Sequence, residues 1–195
     1  MKKRGVKILT ALLVIVMIMS FTTAVLAADD EQEAKGNTGT KTTMLYVEYA
    51  PELLSDYLDA KQEHEAFHEG RKAINETFKA DREGQLQSIL DAFVAGEMSG
   101  DEAMNAIIEM RDNAKALKEE AAAIREAKQA ENEPLKTQRD SLRDQIKAAL
   151  QADEVDAELM HSLLEQSLEL LKDHLAVDYK YAAQMDAARA KYFPQ

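Results

Sequence analysis

Between Pro51 and Leu175, apolar residues return every three or four positions, and that spacing most limits what this chain can fold into. Phe67, Ile74, Phe78, Leu86, Ile89, Leu90 and Phe93 form one series. Met104, Ile107, Ile108, Ala114, Leu117, Ala121 and Ile124 form a second, and Val155, Leu159, Leu163, Leu164, Leu171 and Leu175 a third. At 3.6 residues per turn each series lines one face of a helix. The positions between are filled with Glu, Lys, Arg, Asp and Gln, which favour helix and keep the opposite faces in water. Residues 44–49 (MLYVEY) are the one stretch with the composition of a strand, and no second stretch could pair with it. The fold class is therefore all-α.

The interruptions set the helix boundaries. Residues 96–100 (GEMSG) stop one helix with glycine and open the next with a capping box, Ser99 at the cap and Glu102 three residues on. Pro134 should stop another, since the residue before a proline avoids helical geometry. Residues 152–156 (ADEVD) form a third break with Asp156 as an N-cap. Gly70 and Gly84 sit inside the first helical segment, where they could kink or split it. These signals predict helices at about 51–95, 101–131, 134–151 and 156–191. The expected architecture is two αα-hairpins, 51–131 and 134–192, in an antiparallel or an elongated, curved four-helix arrangement within a domain spanning 50–195.

A shift of the sequence by 57 residues lays Arg82 on Arg139, Ile89 on Ile146, Ala92 on Ala149, Phe93 on Leu150, Glu97 on Glu154 and the cap Ser99 on Asp156. Each copy reads as helix, turn and helix. Duplication and convergence of two hairpins on the same caps and spacing both account for the match.

Ahead of the helices, residues 1–27 have the three parts of a secretory signal peptide. Lys2, Lys3, Arg4 and Lys7 give a cationic start, residues 8–19 are apolar apart from Thr10, and Val25 and Ala27 are the small residues a signal peptidase requires. The expectation is cleavage after Ala27 and export to the periplasm, the cell envelope or the medium, with no membrane anchor afterwards. Residues 28–49 read as a flexible leader, because 28–43 contain no large apolar residue to offset the entropy of ordering. The chain carries 24 Lys plus Arg against 36 Asp plus Glu, and removing four cations and no anions leaves 20 against 36, a net charge of −16. Such a surface repels phosphate backbones and argues against nucleic acid as a partner. With no cysteine, disulfides are excluded.

The strongest chemical motif is His64-Glu65-Ala66-Phe67-His68, an HExxH sequence. On a helix His64 and His68 lie one turn apart on one face and can bind one metal, zinc first, while Glu65 could activate a bound water. Three readings follow: two surface histidines on a charged helix, non-catalytic metal binding with a nearby carboxylate, or a zinc peptidase. Polar Lys61, Gln62 and Glu63 before the motif, charged Glu69 after it and the lack of a sheet for an extended substrate weigh against the peptidase. No catalytic residue is assigned. His161 and His174 read as partly buried helix residues. Met98, Met104, Met110, Met160 and Met185 fall on helix faces, where flexible thioethers either fill a core or line an adaptable apolar binding surface.

The C-terminal hairpin, residues 142–185 (LRDQIKAALQADEVDAELMHSLLEQSLELLKDHLAVDYKYAAQM), resembles the second half of the Spy/CpxP-like envelope chaperones: an Asp-capped turn followed by a long helix rich in Glu, Gln and Met. It covers about a quarter of the chain, without the family's LTxxQ motifs, Leu164-Glu165-Gln166 being the nearest fragment. The resemblance implies a helical homodimer that holds unfolded proteins without ATP, and some relatives bind zinc. The leading expectation is an exported holding chaperone or envelope-stress protein. The others are a structural or partner-binding module of the cell surface, and a zinc-binding protein or zinc peptidase using residues 64–68.

Overall fold

The computed structural model describes residues 38–194. The expected signal peptide, 1–27, and the first part of the 28–49 leader lie outside the described residues. Four α-helices make up nearly all the rest: α1 (Thr38–Tyr49), α2 (Leu54–Ala95), α3 (Gly100–Leu150) and α4 (Ala157–Tyr192), with a 3-10 turn, Pro51–Leu53, between α1 and α2. The protein is all-α, as its periodicity predicts. Among the described residues no helix is long and apolar enough to cross a membrane.

The ends of the helices follow their local chemistry. At the end of α2, Gly96 takes a φ of 78°. The Gly96 N–H then bonds the Phe93 carbonyl and the Glu97 N–H bonds the Ala92 carbonyl, a Schellman closure that uses glycine's tolerance of the left-handed region. The capping box opens α3 as expected, with the Glu102 N–H donating to Ser99 Oγ and the Ser99 N–H to Glu102 Oε2. Asp156 caps α4 by accepting from the N–H groups of Glu158 and Leu159.

Two expectations need correction. Residues 38–49, expected within a flexible leader, form helix α1. Locally this segment is a poor helix, yet Leu45, Tyr46, Tyr49 and Ala50 join a core with Met160, Leu163, Leu164 and Leu168 of α4, and burial of that size outweighs weak propensity. Helix α2 runs unbroken through Gly70 and Gly84, as the single predicted helix at 51–95 requires. Pro134 does not end a helix, because α3 continues through it. Ala130, Glu133 and Pro134 are exposed, so water can serve the Ala130 carbonyl that proline cannot, while Tyr181 on one side and the buried Leu142 and Ala149 on the other hold α3 in place. The two hairpins therefore share α3, the first being α2–α3 and the second α3–α4.

The chain divides into two compact units. In one, residues 78–118 form the turn end of the α2–α3 hairpin. Ala103, Ile107 and Leu117 are buried there, Leu86, Ile89, Leu90 and Phe93 are half-buried, and Val94, Met104 and Ile108 face solvent.

The other unit, 35–77 with 119–195, contains the main core: Tyr46, Ala50, Tyr57, Ala60, Leu142, Ala149, Met160, Leu163, Leu164, Leu168 and Leu170. Its polar contacts fix the helix directions. Glu52 pairs with His161, Arg71 with Asp186 at 2.6 Å and Asn75 with Arg189, so positions advance together along α2 and α4 and the two helices run parallel. Along α3 the order reverses. Glu131 accepts from Lys180 and Tyr181, and Glu120, about three turns earlier, accepts from Lys191 and Tyr192, about three turns later on α4. The same Glu–Lys–Tyr latch thus occurs twice along an antiparallel pair.

Candidate metal centre

His64 and His68 are separated by one turn of α2, which points both imidazoles the same way. Their Nε2 atoms stand 3.2 Å apart, and the ring centroids 4.5 Å. Because α4 lies parallel beside α2, it brings Asp178 to the same place, with Oδ2 3.8 Å from His68 Nε2. One ligand atom from each of the three falls within 4.8 Å of the others. All three belong to the unit formed by 35–77 and 119–195.

These distances can be compared with what a metal demands. Two ligand atoms bound at about 2.0–2.1 Å to a tetrahedral ion are roughly 3.3–3.4 Å apart. The two imidazole nitrogens, 3.2 Å apart, are close to that separation; the carboxylate oxygen is about half an ångström too far from His68 and within 4.8 Å of the His64 nitrogen, so the side chains must close in around an ion. Two imidazoles and one carboxylate suit zinc and similar divalent transition metals better than magnesium or calcium, which prefer oxygen.

The surroundings favour this arrangement electrostatically. Asp178 is buried, with only 11% of its side chain exposed, so its charge needs a partner. Lys128 of α3 supplies one, its Nζ 3.1 Å from Oδ1, which leaves Oδ2 on the side of the histidines. Phe67 and Tyr179 meet edge to face at 4.8 Å next to the cluster, and an open cleft lined by Asp56, Asp59, Glu63, Lys172, Leu175 and Tyr179 runs along the same α2/α4 seam. His174, one turn before Asp178 on α4, is half-buried, and its Nε2 is shut off from solvent without a hydrogen-bond partner. Burial pushes the His174 imidazole below the usual histidine range, Arg139 acts in the same direction, and Asp178 opposes them.

The other candidate residues are scattered. Glu65 is exposed and outside the three-residue group, so the carboxylate beside the histidine pair is Asp178. Met104 is exposed, and Met98, Met110 and Met185 are half-buried. Met160 is fully buried and fills the core, the first of the two roles open to it, and so is not part of a client-binding surface. His161 is half-buried and pairs with Glu52. Asp178 is the site residue that sequence reasoning misses. The available signal was weak: an acidic residue less than a turn beyond Leu175, the last member of an apolar series.

Comparison with family models, with characterised proteins and with solved structures yields no match to this chain.

Proposed function

We propose that this chain is an exported helical protein that binds a divalent transition metal, zinc by preference, between α2 and α4. The observation that carries the proposal is the convergence of His64, His68 and the buried Asp178, with ligand atoms within 4.8 Å of one another and the histidine nitrogens close to the separation a tetrahedral ion requires. The ion would join two parallel helices that already meet here through the Phe67–Tyr179 ring contact. Among the described residues there is no strand against which an extended peptide could be laid, and the reading is therefore of metal binding without peptide hydrolysis.

Calorimetric titration of zinc into the protein and into His68→Ala tests the proposal. One ion per chain is expected for the wild type, with a loss of at least about a hundredfold in affinity for the variant, since one of three ligands is gone. Identical isotherms would end the metal reading.

A second reading, an ATP-independent holding chaperone of the Spy/CpxP-like type acting on unfolded proteins, is favoured by the apolar side chains exposed in 78–118. Val94 is 83% exposed, and Met104 and Ile108, one turn apart on α3, are also open to solvent. Slower aggregation of an unfolding test protein at stoichiometric amounts would support it. No effect, or an effect unchanged by Val94→Ser with Ile108→Ser, would count against it.

A further inference from the structure

On two parallel helices, side chains that keep the same sequence offset stand level with one another. His68 and Asp178 have that relation, and their ligand atoms are 3.8 Å apart. One turn earlier on each helix are His64 and His174, at the same offset. An i,i+4 pair on α2 therefore faces an i,i+4 pair on α4. Three corners of this square already bring ligand atoms together. The fourth, His174, lies outside that 4.8 Å group and would have to turn toward it; its Nε2 is shut off from water and lacks a hydrogen-bond partner, and an unmatched polar atom in a protein interior is rare enough to need a reason.

Building on the metal-binding reading above, we propose that His174 is the fourth ligand, so that His64, His68, His174 and Asp178 close a four-coordinate site around zinc or an ion of similar preference. Four protein ligands leave no position for a water, and sites of this kind hold a fold together instead of activating a nucleophile. Lys128, on the far oxygen of Asp178, orients the carboxylate toward the ion. The site is then a clasp between α2 and α4 with its brace on α3.

Cobalt(II) titrated into the full-length chain tests this directly, because a tetrahedral cobalt site absorbs strongly in the visible and one that includes several waters absorbs weakly. The chain has no cysteine, so in His174→Cys a thiolate-to-cobalt charge-transfer band in the near ultraviolet can arise only from the new sulfur. The expected results are a strong visible spectrum for the wild type, a new charge-transfer band for His174→Cys, and binding about 10–100-fold weaker with a fainter spectrum for His174→Ala. Unchanged affinity and spectrum in His174→Ala, or cobalt bound by His174→Cys without the band, would overturn the fourth ligand. His68→Ala separates the two claims: if it loses cobalt while His174→Ala does not, the three-residue site stands and the fourth ligand falls. If the wild type binds no cobalt, both fail. Circular dichroism checks the fold of each variant, and should His174→Ala unfold, His174→Cys decides.

Discussion

Tyr46 fastens α1 to the core, and Tyr46→Phe removes one hydroxyl while keeping the ring. That ring is fully buried and stacked on Tyr57 with centroids 4.3 Å apart. The hydroxyl donates to the Leu164 carbonyl at 2.7 Å. Losing this neutral hydrogen bond should cost about 1 kcal/mol at pH 7, because the carbonyl it leaves can keep its helical partner. Burial also pushes the Tyr46 phenol well above its ordinary value of 10.0. A group whose pKa is raised by folding contributes stability that is fully present below the unfolded pKa and lost as pH rises beyond it. The unfolded chain ionises this tyrosine near pH 10, so the wild type loses about 1.4 kcal/mol here for each further pH unit, and the variant loses none. The deficit of Tyr46→Phe should therefore vanish, or reverse by a few tenths of a kcal/mol, at pH 11. Urea unfolding followed by circular dichroism at both pH values measures it. A deficit of the same size at pH 7 and pH 11 would refute the argument that the phenol is held neutral in the core.

Gly70→Ala and Gly84→Ala place a methyl group where no atom lies within 4 Å; each should stabilise by about 0.5–1 kcal/mol in thermal or urea unfolding. Pro134→Ala returns an N–H to the middle of α3 and should stabilise by up to about 3 kcal/mol, with a matching rise in the urea midpoint. Met160→Ala empties a fully buried position and should cost about 2–5 kcal/mol, whereas Met104→Ala, on an exposed face, should stay within about 0.5 kcal/mol of the wild type; similar losses from the two would contradict the assignment of core and surface.

Legibility in the sequence followed the range of the interactions. The caps at Ser99 and Asp156 and the closure at Gly96 are contacts within a few residues, and each could be read before the fold was known. Pro134 misled because its penalty is local while the forces that override it, the latch at Glu131 and the core around Leu142, come from α4. Helix α1 was hidden for the same reason: its propensity is poor, and its core partners on α4 are more than a hundred residues away. The candidate site divides along this line as well. His64 and His68 are one turn apart and announce themselves, and the HExxH pattern drew attention to Glu65 as their carboxylate. Asp178 becomes visible only once α2 and α4 are known to run parallel in that register, which no spacing within either helix encodes.

The central claim is that His64, His68 and Asp178 together hold a metal ion. Diffraction from crystals grown with zinc, recorded on either side of the zinc absorption edge, tests it most directly. The expected result is one anomalous peak per chain about 2.0–2.2 Å from the Nε2 atoms of both histidines and an oxygen of Asp178. Anomalous peaks found only on exposed carboxylates, with none between α2 and α4, would contradict it.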